Sequence, residues 1–216
     1  MQYNLFINNW KKNKQKLIKN HVYDELNEHS SCGVGLIASL KNVPTREVVE
    51  MGIEALKCLY HRGAVDADGK TGDGAGIQLE LPKGFFIEQI KRSGHKPNNN
   101  PFAVGMIFLP RTDFAAQEKS RIIVESEIIN GGFKIYGWRH VPINTKIIGE
   151  KAKSTRPEIE QILIGSEKIS NELEVDNKLY LIRKRIEKKI KKENINDFYI
   201  CSLSSQMIIY KGMFLA

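Results

Sequence analysis

The chain has 216 residues, 41% hydrophobic and 27% charged, the balance of one ordinary globular domain with a sizeable core. Its net charge of +8 sits mainly in the Lys11–Lys19 lead-in and in the run Arg183 to Lys192, where Ile186 and Ile190 recur at helical spacing without any nucleic-acid motif, so no nucleic-acid partner is expected. No stretch reaches the roughly 20 apolar residues of a membrane span, no apolar h-region opens the chain, and three scattered cysteines make neither a disulfide framework nor paired metal-ligand spacing; these features predict a cytoplasmic protein with no membrane partner and no metal.

Residues 1–31 are polar, show no sustained period and end at HSSCGVG, so they read as a leader, and residues 32–216 as the domain. GVGLIASL (33–40) reads as a buried strand. In the following segment Val49, Ile53, Leu56 and Tyr60 mark a helix, with Thr45 as N-cap, Glu47 in the first turn and Gly63 as the residue after its end. DADGKTGDGAG (66–76) is rich in turn residues. Beyond it, Ile77, Leu79 and Leu81 alternate with Gln78 and Glu80 as in a half-buried strand.

KGFFIEQIKRSG reads as a short helix and FAVGMIFLP as a fully buried strand. Thr112 to Asn130 suits a helix closed by Gly131 and Gly132, followed by the strand FKIYGWRHV. After a loop or short helix come the strand EIEQILIG, a basic helix over 177–192, and two strands, FYICSLS and QMIIYKG, that read as a hairpin about Ser204 and Ser205. Interleaved strands and helices define a mixed α and β class. Periodicity alone leaves open a doubly wound sheet or two sheets sandwiched between helices. Cys58 and Cys201 lie among apolar neighbours and read as packing residues.

Three features carry chemistry: a cysteine followed by Gly-x-Gly at Cys32, then HRGA, then KTGDGAG. Singly each is weak. The Gly-Asp run lacks the lysine of a phosphate loop and leads into a strand rather than a helix. In this order, CGVGLIA, LKCLYHRGA and ADGKTGDGAGIQL resemble the opening of the glutaminase domain of the glutamate synthase large subunit, a class II glutamine amidotransferase and N-terminal-nucleophile hydrolase. YGWRHVP and FYICSLSS…IIYKGMF fit the same family, so the resemblance runs from Cys32 onward.

The resemblance implies an α+β fold, a four-layer α/β/β/α sandwich, with glutamine as substrate and no cofactor. It makes Cys32 the catalytic nucleophile, places Arg62 and Gly63 in the glutamine pocket, and makes Asp73 and Gly74 a supporting wall. Release of residues 1–31 would free the Cys32 α-amine as base, which leaves His61 a structural role. Two family motifs are missing from the 216 residues: an SRFST-like segment whose Arg clamps the substrate carboxylate, and an HNGE-like segment whose Asn-Gly forms the oxyanion hole. Asn130-Gly131 and Arg156 are local look-alikes, better read as a helix end and an irregular stretch. The expectations are an incomplete sandwich, truncated at its C-terminal side, and weak activity unless a complementing chain supplies the rest of a synthase. The alternative is a non-catalytic remnant that binds a partner.

Overall fold

The computed structural model describes residues 2–20, 33–41, 43–60, 63–213 and 215. The chain divides into two units, residues 1–34 and 35–216.

The first unit holds α1 (Gln2–Asn20), a helix where the sequence shows no sustained apolar period. The segment contains neither glycine nor proline, and its lysines, glutamines and leucines favour helix on intrinsic propensity alone. Leu5, Phe6 and Trp10 are exposed on it.

The second unit contains α2 (Arg46–Lys57), β1 (Ala75–Glu80), α3 (Lys83–Arg92), β2 (Phe102–Leu109), α4 (Phe114–Asn130), β3 (Phe133–His140), α5 (Glu150–Thr155), β4 (Glu158–Ser166), α6 (Glu172–Lys192), β5 (Tyr199–Ser204) and β6 (Met207–Gly212). Strands β3, β4, β2 and β5 form one antiparallel sheet in that order, and β1 pairs with β6 in a second, from Ala75 opposite Gly212 to Glu80 opposite Met207. The doubly wound alternative does not hold, because every ladder among the described residues is antiparallel.

Strand β2 explains its own composition. Ala103, Ile107 and Leu109 pack with Val124 and Ile128 of α4 and with Leu179, Ile182 and Ile186 of α6. Phe102, Val104 and Met106 point the other way, into a core shared with Ile208 of β6 and with Phe86 and Ile90 of α3. A strand covered on both faces has no polar positions, hence the continuous apolar run. Each such side chain contributes about 1.5–3 kcal/mol on burial. The result is an α+β sandwich: α4 and α6 cover one face of the four-stranded sheet, the two-stranded sheet and α3 pack on its other face, and α2 meets β1, where Gly52 lies beside Ile77.

Helix starts follow the sequence. The Thr45 hydroxyl accepts from the Val48 N–H, Asp113 caps α4 through the Ala116 N–H, and Asn171 caps α6 through the Glu174 N–H. The basic helix therefore begins five residues before 177. α4 does end at Gly131, and Gly132 follows at φ 83°.

Four expectations are corrected. Residues 33–39 form no regular element, and Val34, Leu36 and Leu40 are 91%, 89% and 104% exposed; apolar composition signals a need for burial but does not supply a partner edge. Helix α2 ends at Lys57 with Cys58 as C-cap, so Gly63 is not the residue that closes it. Cys58 is exposed, because α2 turns only part of its surface to β1, and Val49, Ile53 and Leu56 are half-buried. Cys201 is buried as expected, and burial pushes its thiol pKa up.

The fourth correction concerns β5 and β6, which are not a hairpin. Each belongs to a different sheet, and the chain turns the corner between them under Asp176 of α6. That carboxylate accepts from the Ser204 hydroxyl at 2.7 Å, from the Ser205 N–H at 2.7 Å and hydroxyl at 2.8 Å, and from the Gln206 amide at 3.2 Å.

Candidate active site

Residues 63–66, which begin at the glycine of HRG, and residues 71–74, which hold GDG, are the two arms of one small hairpin. The Asp73 N–H donates to the Ala64 carbonyl at 3.2 Å, Val65 and Gly72 form a bridge, and the Asp66 N–H donates to the Thr71 carbonyl at 2.9 Å. Asp68 and Gly69 make the tip, where Gly69 takes a φ of 68° that a side chain would strain. The Gly63 N–H donates to the Tyr60 carbonyl at 3.2 Å, and a β-carbon at Gly63 would lie 3.4 Å from Asp73 Oδ1. Gly74, at φ 125°, leads into β1 beside Gly212 of β6. Gly63, Asp73 and Gly74 are all exposed and gather at this end of the second sheet. Cys32, Arg62 and His61 lie outside the described residues.

Turn composition announces the loop but not what holds it. The Asp68 carboxylate accepts from the Lys70 N–H at 2.9 Å, the Thr71 N–H at 2.7 Å and the Thr71 hydroxyl at 2.6 Å. The Thr71 hydroxyl leads this set in holding Asp68 far below the usual carboxylate range. The Thr71 hydroxyl also accepts from the Ala152 N–H at 3.3 Å. Lys151 Nζ reaches Asp66 at 2.6 Å, which lowers the pKa of Asp66 and raises that of Lys151. Asp66, Asp68 and Thr71 carry no role in the reading of the sequence, although an Asp three residues before a Thr is a turn-forming signal.

Arg156 and Asn130-Gly131 are structural. The Arg156 carbonyl accepts from Arg111 Nε at 3.1 Å, and Gly131 caps α4. Ligand atoms of His140, Glu158 and Glu160 come within 4.8 Å of one another. Glu160, however, is 2% exposed and gives both oxygens to Arg121, at 2.9 Å and 2.6 Å. The guanidinium already neutralises the carboxylate that a cation would need, so this cluster is an ion-pair network.

Among the described residues no helix is long and apolar enough to cross a membrane.

The family model for class-II glutamine amidotransferases matches residues 32–216. Over 211 residues, 98% of its length, the chain is 56% identical to the glutamate synthase (NADPH) large chain of Azospirillum brasilense, of which it covers 14%. It is 40% identical over 195 residues, 89% of its length, to ferredoxin-dependent glutamate synthase 1 of Arabidopsis thaliana, of which it covers 12%. The glutamate synthase (NADPH) large chain of Bacillus subtilis is 39% identical over 191 residues, 86% of this chain and 12% of that one. The chain thus spans about one-seventh or less of the length of these relatives.

Proposed function

Since this chain belongs to the class-II glutamine amidotransferases, we propose that residues 32–216 are a glutaminase domain of the glutamate synthase type, with Cys32 as nucleophile. The observation that carries the reading is the hairpin that sets Asp73 beside Gly63, ten residues away in sequence, at the end of the two-stranded sheet.

The thiolate of Cys32 attacks the side-chain amide carbon of glutamine. Collapse of the tetrahedral adduct breaks the C–N bond, the departing nitrogen takes a proton, and ammonia leaves behind a glutamyl thioester. Water then attacks the thioester carbon, which releases glutamate and regenerates the thiol. The α-amine of Cys32, with an ordinary pKa of about 7.7–8.0, accepts the thiol proton and returns it to the leaving nitrogen. A peptide nitrogen has no basic lone pair, so this chemistry requires removal of residues 1–31. The family match beginning at residue 32 supports that boundary.

Arg62 and Gly63 line the glutamine pocket, and Asp73 with Gly74 forms its wall. The exposure of Gly63, Asp73 and Gly74 leaves this end open to a small ligand. The oxyanion donor and the carboxylate clamp come from outside residues 1–216, within a larger synthase or from a complementing chain. Without the donor alone, turnover falls by about 10²–10³. By itself, therefore, this segment turns over glutamine weakly.

Intact mass of the purified chain, with and without a diazo-ketone analogue of glutamine, tests the assignment. The expected result is loss of residues 1–31 and one adduct at Cys32, abolished by Cys32→Ala. An uncleaved chain that takes up no label overturns it.

A further inference from the structure

The hairpin that carries Gly63 and Asp73 is exposed over most of its length, yet it is tied at its tip to α5. Gly149, the N-cap of α5, offers no side chain to the first N–H groups of the helix. The hairpin supplies a cap in its place: Thr71, only 2% exposed, accepts from the Ala152 N–H at 3.3 Å, and the Asp68 carboxylate in turn holds the Thr71 hydroxyl at 2.6 Å. A second tie runs from Lys151 Nζ to Asp66. The helix is anchored in turn at its other end, where Arg111, just past β2, donates to the carbonyls of Ser154 and Arg156. Within the helix, Ala152 is 4% exposed. A continuous mechanical path therefore leads from the central strand, through Arg111 and α5, to the arms of the hairpin.

The fit at the junction is close. A β-carbon at Gly149 would lie 2.1 Å from Asp68 Oδ2 and 2.3 Å from Thr71 Oγ1, so only glycine allows the helix to meet its external cap. We propose that Asp68 and Thr71 are positioning residues for the glutamine pocket: Thr71 caps α5, Asp68 holds the Thr71 hydroxyl against Gly149, and together they fix the hairpin whose arms present Gly63 and Asp73. This rests on the glutaminase reading above. Neither residue contacts substrate. Their effect is exerted through the register of the two arms, because reactivity falls by up to about a hundredfold when a positioning group moves by about 1 Å.

The test compares two labels at Cys32 in the full chain, the diazo-ketone glutamine analogue and iodoacetamide, for wild type, Asp68→Ala and Gly149→Ala. The analogue must be bound in the pocket to react, whereas iodoacetamide reports only the thiolate. In both variants the analogue rate falls by roughly ten- to a hundredfold, as for a displaced binding wall, and the iodoacetamide rate stays at the wild-type value. The double variant is no slower than either single one, since both break the same junction. Hydrogen–deuterium exchange over residues 63–74 rises in both variants while β2 and β4 stay protected. A wild-type chain that ignores the analogue removes the glutaminase reading; unchanged exchange over 63–74 then overturns the positioning role independently. A labelled wild type with equal analogue rates in Asp68→Ala and Gly149→Ala overturns the positioning role alone. Equal losses with both labels assign the damage to the thiol or to the fold, and overturn it too.

Discussion

Asp73 stands over the bare face of Gly63: a β-carbon built on the glycine would lie 3.4 Å from the aspartate Oδ1, at ordinary van der Waals distance. Two motifs whose individual signals are weak thus become one surface. The distance sets a size limit. Gly63→Ala is expected to stay within about 0.5 kcal/mol of wild type in urea unfolding. Gly63→Val, whose methyl groups reach into the carboxylate, is expected to slow labelling by the glutamine analogue while leaving the unfolding midpoint near that of the alanine variant. Equal labelling rates for the two would show that Asp73 is free to move aside.

The corner between the sheets depends on Asp176. Its carboxylate takes donors from Ser204, Ser205 and Gln206, of which Ser205 is completely buried. Asp176→Ala leaves those donors unmet and is expected to cost about 2–4 kcal/mol, because bonds to a charged acceptor are the stronger kind. Asp176→Asn keeps one good acceptor and should lose roughly half as much. Urea denaturation followed by tryptophan fluorescence measures both.

Glu160 is a buried charge with one strong partner. Arg121→Ala would strand a carboxylate that is 2% exposed, and the expected cost is about 3–5 kcal/mol. Replacing both residues with apolar ones of similar volume should cost less than the single change, since no charge is left without its partner. A double-mutant cycle in urea reads the coupling directly.

Glu127 makes the stability depend on acid. Lys189 at 2.5 Å, with Arg185 at 2.9 Å, lowers its pKa below the ordinary value against the opposing effect of burial. A depressed folded-state pKa stabilises the fold above the unfolded value, near about 4.3, and that contribution is lost as pH falls through the folded value. The difference in urea midpoint between wild type and Glu127→Gln is therefore expected to be constant from about pH 7 to pH 5 and to close below about pH 4. A difference that grows on acidification would reverse the sign of this linkage.

Local physics made much of the molecule legible before any coordinates. The alternation of Ile77 and Leu79, the cap at Thr45, the buried run of β2 and the apolar face of α6 follow from side-chain period and backbone donors within a few residues. The order of Cys32, HRG and GDG named the family, which the match over residues 32–216 bears out.

What tertiary structure decided involves partners distant in sequence. Tyr199–Ser204 and Met207–Gly212 look like two strands of a hairpin until Asp176, 28 residues before Ser204, takes the turn's donors and sends them to different sheets. Residues 33–40 are apolar enough for a strand, but composition cannot create the edge a strand needs. Likewise, Gly149 appears as one more loop glycine in the sequence. Only packing shows that its missing side chain makes room for Asp68 and Thr71. Period and propensity are properties of a segment, whereas pairing, capping from afar and close approach belong to two segments at once, and only the folded chain brings those together.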